Sequence, residues 1–209
     1  MTDIAAIITA IGGLIGIIFG FFQYSHNKYT DLRIKMIEKE EEGKSKRKAI
    51  ASSNVYEEIW GLLYYLGAAR VYIVQPYPLD RTNYVSVEYE AKRKGVTGMK
   101  EAIQKIPVTK MPDFIKCLAK TQYMYIRNIS EQIEDKRAQA LLASNGCVTA
   151  IIKRLTDGEH EWSGSIFCEF TDEIEISEEE AQILLKKAAT NIQYNLPELR
   201  DIPNKIPNN

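Results

Sequence analysis

CVTAIIKRLTDGEHEWSGSIFCEF, residues 147–170, decides the fold class. Residues 147–155 are rich in β-branched side chains and read as a strand. Asp157 and Gly158 centre a turn, and SGSIFCEF, 163–170, returns as a second strand. Strands joined this closely pair antiparallel. The pattern recurs upstream. AARVYIVQPYP, 68–78, is β-branched and aromatic and closes on prolines; LDRTN, 79–83, is a loop. YVSVEYEA, 84–91, then alternates Val85, Val87 and Tyr89 against Ser86, Glu88 and Glu90. YMYIRNI, 123–129, reads as one more strand.

Helices separate these hairpins. VYEEIWGLLYYLG, 55–67, places Val55, Ile59, Leu62, Leu63 and Leu66 on one face and stops at Gly67. MPDFIKCLAKTQ, 111–122, carries Pro112 in a first turn. SEQIEDKRAQALLASNG, 130–146, opens on Ser130 and closes on Asn145-Gly146. SEEEAQILLKKAATNIQYNL, 177–196, begins with a capping box of Ser177 and Glu180. Residues 95–112 are irregular. The expected class is α+β, a central antiparallel sheet covered by helices.

Ahead of this domain lies IAAIITAIGGLIGIIFGFF, 4–22, without a charge. As a helix it spans roughly 28 Å, close to the thickness of a bilayer's hydrocarbon. A cleaved signal peptide would carry Lys or Arg before the run and a small-residue cleavage site after it; neither is present. A helix of a soluble domain would keep a polar stripe, and here only Thr9 is available. Residues 1–24 are therefore expected to be a single transmembrane helix. Lys28, Arg33 and Lys35 follow it and no Lys or Arg precedes it, which puts the N-terminus outside and the domain in the cytoplasm. Gly12, Gly16 and Gly20 recur on one face, with Ala6 and Ala10 near, and suit close helix contact.

Residues 25–53 read as a charged helical stalk or linker. Tyr29, Leu32 and Met36 start a seam that EKEEEGKSKRK, 38–48, does not continue, and Gly43 interrupts it. Lys44, Lys46, Arg47 and Lys48 would stand roughly 30 Å from the bilayer along a helix, beyond a screening length of about 8 Å, so lipid contact is not expected of them. The domain proper is taken as 54–196. The tail 197–209, with three prolines, is expected to be disordered.

A net charge of −1 argues against a nucleic-acid surface. Cys117, Cys147 and Cys168 form no disulfide framework, and His26 and His160 lie at no metal-ligand spacing. No phosphate loop, dinucleotide fingerprint or nucleophile triad is present. Glu88 and Glu90 share a strand face, as solvated acids do, and no catalytic residue or metal ligand is assigned. Tyr123, Tyr125 and Arg127 share one face of a strand leading toward a helix start, where an anionic ligand could be held. Tyr72 and Tyr89 complete the candidate ligand contacts. No cofactor is named by the sequence.

From Val55 to Leu196 the order of elements resembles the GAF domain. LGAARVYIVQPYP is similar to that family's first strand, ALLASNGCVTAIIKRL to the helix, turn and strand before its last hairpin, WSGSIFCEF to its glycine-bearing strand, and SEEEAQILLKKAATNI to its closing helix. The resemblance implies a six-stranded antiparallel sheet, a pocket on one face, and dimerisation through the first and last helices. The family's cyclic-nucleotide signature is missing, and the cysteines are not clustered as in its methionine sulfoxide reductases. Three functions stay open. The first is a membrane-anchored sensor or dimerisation module without catalysis. The second is a holin-like or toxin-like effector whose glycine helix oligomerises. The third is an assembly protein using the fold only to oligomerise, which a collapsed pocket would favour. Little chain follows the last helix, so output is expected to pass through the membrane helix or a partner.

Overall fold

The computed structural model describes residues 2–77, 83–157 and 159–199, without the side chains at 2–22, 24–27, 29–32 and 197–199. The chain divides into two compact units, Met1–Arg47 and Lys48–Asn209. The first is helical: α1, Thr2–Tyr65, runs on through Gly43. Its described side chains are largely exposed, and Glu40 pairs with Lys44 one turn on at 2.8 Å. The side chains of the apolar run 4–22, with Gly12, Gly16 and Gly20, lie outside the described ones. Among the described residues no helix is long and apolar enough to cross a membrane. The tail beyond Leu199 and the turn glycine Gly158 also lie outside them.

In the second unit α1 turns Val55, Ile59, Leu62, Leu63 and Leu66 inward, all buried. It stops where Gly67 takes a positive φ of 68°. Six strands follow: β1 Arg70–Tyr77, β2 Tyr84–Lys92, β3 Ile106–Pro107, β4 Tyr123–Ile126, β5 Thr149–Thr156 and β6 Trp162–Phe170. They form one antiparallel sheet in the order β3-β2-β1-β6-β5-β4. Gly164 lets β6 approach β1: a Cβ there would sit 2.8 Å from the Val74 carbonyl oxygen. The helices are α2 Pro112–Lys120, α3 Ile129–Gln132, α4 Lys136–Ser144 and α5 Glu178–Leu199.

The sheet separates two cores. On one side Val71, Ile73, Ile151, Ile166 and Cys168 pack with α1 and with Ala181, Leu185 and Ile192 of α5. On the other, Tyr72, Val74, Ile152 and Phe167 pack with Ile115 and Leu118 of α2, Ile129 of α3 and Leu142 of α4. Ser177 caps α5 as expected, accepting from the Glu180 N–H at 3.2 Å and donating to its carboxylate.

Two expectations need correction. The single helix over 130–146 is two. Asn128, not Ser130, caps α3, and Asp135 caps α4 by accepting from the Arg137 and Ala138 N–H groups. Between them Ile133 is extended and buried, and the break shifts the buried face from Ile129 and Ile133 to Ala138 and Leu142, five positions on, which a single helix with a period of about 3.6 would not keep on one face. The sixth strand, β3, lies in the stretch read as irregular; two residues are too short to show a period.

Candidate functional site

Three features of the second unit bear on function. The first is the interior between the sheet and α2–α4, where a pocket was expected. It is filled. Tyr72 and Phe167 stack with ring centroids 5.0 Å apart, and Phe114 meets Phe167 edge-on at 6.2 Å. With Val74, Ile115 and Leu142 they leave a space of about 20 Å³, far below the roughly 300 Å³ of the smallest ligand pockets.

The second is a buried ionic network beside that interior. Arg70 and Glu169 face each other across β1 and β6, and both are buried. Arg70 Nε donates to Glu169 Oε2 at 2.7 Å, and a terminal guanidinium nitrogen donates to the same oxygen. Its other terminal nitrogen donates to the carbonyls of Thr97 at 2.7 Å and Asn145 at 2.8 Å. The Tyr72 hydroxyl donates to Glu169 Oε1. Burial raises the Glu169 carboxyl although Arg70 and Tyr72 pull it down. Burial, then the Glu169 charge, pushes the Tyr72 hydroxyl well up. The network is spent on tying a loop, a helix end and two strands together.

The third feature is an open groove of about 480 Å³ beside β4. Asp113, Phe114 and Cys117 of α2 form one wall. Gln132, Ile133, Glu134 and Asp135, the link that breaks α3 from α4, form the other, and Met124, Tyr125 and Ile126 run along it. The Cys117 sulfur lies 3.4 Å from that of Met124.

No protein-family model and no curated protein matches the chain. Solved structures do. The PixJ GAF domain of Thermosynechococcus elongatus, in its blue-light-absorbing form, is 12% identical, with TM-score 0.57 over 74% of this chain and 88% of that one. A phycoerythrobilin-bound GAF domain from a cyanobacterial phytochrome is 11% identical, with TM-score 0.54 over 75% and 95%. A far-red cyanobacteriochrome photoreceptor is 12% identical, with TM-score 0.58 over 78% and 98%. This is the GAF fold. At such identity the likeness extends to architecture alone.

Within this GAF fold the five candidate contacts do not converge. Tyr72 belongs to the α2–α4 side and its hydroxyl is committed to Glu169. Tyr89 packs on the α1 side, edge-on to Tyr56 at 5.3 Å, and its hydroxyl oxygen accepts from Ser52. Tyr123 and Tyr125 do share a face, the α5 side, where their hydroxyls donate to the carbonyls of Glu178 at 3.4 Å and Ile176 at 3.1 Å. Arg127 lies over the Tyr125 ring at 5.3 Å. Tyr123 and Tyr125 staple β4 to the entry of α5.

Of the five, only Tyr125 also lines the groove. The sequence reading passed over Phe114, Ile133, Glu134 and Asp135; a cap signal at Asp135 ahead of KRAQALLAS was the one clue. Cys147 and Cys168 lie on opposite sides of the sheet, and burial pushes both thiols up. Among the described residues no cluster of His, Cys, Asp or Glu is arranged to hold a metal.

Proposed function

We propose that this chain is a membrane-anchored module that works by association rather than catalysis, its GAF-fold domain pairing with a second copy on the cytoplasmic side. The observation that carries this reading is a stripe of large apolar side chains turned away from the core. Ile50, Trp60 and Tyr64 of α1 are 55%, 42% and 76% exposed, and Tyr194 of α5 is 85% exposed. Trp60 and Tyr64 are one turn apart, with ring centroids 6.3 Å from each other, and form the centre of this surface; Glu57, one turn before Trp60, bounds it with a charge. The filled interior agrees with a fold used for assembly. Replacing Trp60 and Tyr64 together by Glu should weaken self-association of the full chain in neutral detergent at least tenfold by sedimentation. An unchanged dimer would overturn the pairing surface.

The anchor reading rests on the charge-free run 4–22. Its glycine face suits a helix contact, so Gly16→Leu should reduce crosslinking between copies in membranes. Crosslinking as strong as in the parent chain would remove the glycine contact from the proposal. The run offers only Thr9 as a polar group, which favours an anchor over a pore. A second reading, a small-ligand sensor, is favoured by the groove beside β4, whose size is within the range of small-molecule sites.

A further inference from the structure

The groove has an unusual wall: the free edge of the sheet. β4 is an outermost strand and pairs only with β5. Arg154 N–H donates to the Gln122 carbonyl at 3.2 Å, which sets the phase of the ladder. Gln122, Met124 and Ile126 therefore point their N–H and C=O groups at β5, and Tyr123 and Tyr125 point theirs outward. Among the described residues these outward groups have no partner. The next outward N–H, that of Arg127, is taken by Gln132 Oε1 at 2.6 Å.

The opposite edge is treated differently. Beyond β2 a loop seals the sheet: Val87 N–H donates to the Ile103 carbonyl at 2.9 Å, Gln104 Nε2 donates to the Val87 carbonyl at 2.8 Å, and Lys105 N–H donates to Ser86 Oγ at 2.8 Å. One edge is closed and the other stands open inside a groove. An open edge is a template for another strand.

The chemistry around the edge indicates what would add. Phe114 and Ile133 offer apolar surface on the α2 side, and Asp113, Glu134 and Asp135 supply negative charge. No Lys or Arg lines the groove. On the α5 side Glu178, Glu179 and Glu180 open the helix, and Tyr123 donates to the Glu178 carbonyl. Burial raises the Tyr123 hydroxyl, and Glu178 and Glu179 add to the rise. Two cations stand at the ends of this edge: Arg127 over Tyr125, and Lys153, whose Nζ donates to the Gln122 carbonyl at 3.2 Å.

We propose that the β4 edge takes up an extended peptide of a partner protein, in which apolar residues alternate with Lys or Arg, adding it to the sheet as a seventh strand. Apolar side chains of such a strand lie over Phe114 and Ile133, and the basic ones, on the opposite face, meet Glu178 and Glu179 at the start of α5. The proposal goes beyond the self-pairing reading and is independent of it, because Ile50, Trp60, Tyr64 and Tyr194 take no part in the edge or the groove.

The test uses the full chain in neutral detergent and a fluorescent hexapeptide, Lys-Val-Arg-Val-Lys-Val, with blocked ends. Two further versions are N-methylated at the odd or at the even residues. A strand presents alternate amides to its neighbour, so one methylated version should bind at least tenfold more weakly and the other close to the parent peptide. Glu179→Lys, an exposed change at the start of α5, should weaken the parent peptide several-fold. Equal behaviour of the two methylated peptides would overturn strand addition and leave a charge effect. No binding of the parent peptide would overturn the proposal too. So would native mass spectra showing a retained small molecule and no peptide adduct, which would assign the groove to a small ligand.

Discussion

Arg70→Met should destabilise the folded unit by about 3–5 kcal/mol at neutral pH, because it strands the Glu169 carboxylate in the interior. For a domain of this size that is a fall of roughly 6–20 °C in the unfolding midpoint. The loss should depend on pH. Without Arg70 the buried carboxyl is raised further, and the folded state binds its proton more tightly than the unfolded chain does. The variant is then most stable below the ordinary carboxylate value of about 4.3 and loses stability as pH rises through the raised folded value. Adding Glu169→Gln removes the stranded charge while its amide oxygen still accepts from Tyr72, so the double variant should regain half or more of the loss. Urea unfolding of the full chain in detergent at pH 5 and pH 8, followed by tryptophan fluorescence, measures both. A loss that is the same at both pH values, or an unrescued double variant, would mean that the network acts through packing and not charge.

Local rules carried much of this architecture. Ser177 and Glu180 marked the start of α5, alternation in 163–170 marked β6, and the spacing of Val55, Ile59 and Leu62 marked the buried face of α1. Each depends on neighbours in sequence. The features with functional weight do not. Period two put Tyr123 and Tyr125 on one face but could not say which, since a shift of one residue exchanges the faces of a strand. Arg70 and Glu169 are 99 residues apart and meet only through register. The groove joins α2, β4 and the 132–135 link, and its wall exists because the helix over 130–146 breaks where Asp135 offers a better cap than a continuing turn. The resemblance led to the expectation of an internal pocket; what closed it was the pairing of Tyr72 with Phe167, two rings 95 positions apart whose approach no local pattern announces.

That closure makes the second large effect. Phe167 is 1% exposed and lies against both Tyr72 and Phe114. Phe167→Ala should cost about 3–5 kcal/mol and open a cavity on the order of 100 Å³, since the stacked Tyr72 is held by Glu169 and cannot swing in to fill it. The walls left behind, Val74, Ile115, Leu118 and Leu142, are apolar, and an apolar cavity of this kind stays dry and accepts an apolar guest. Indole or benzene should therefore raise the unfolding midpoint of the variant and leave the parent chain unchanged. At a hundredfold excess over its dissociation constant a guest returns about 2.7 kcal/mol, much of what the substitution removed. If the parent chain is stabilised equally, its interior already admits ligands and sensing in that space regains weight. If the variant loses stability but ignores the guests, the site has collapsed, and Tyr72 is less firmly held than its bond to Glu169 implies. If instead only the variant responds, two ring contacts account for the difference between a domain that encloses a ligand and one that has turned its binding surfaces outward, to the α1 stripe and the β4 edge.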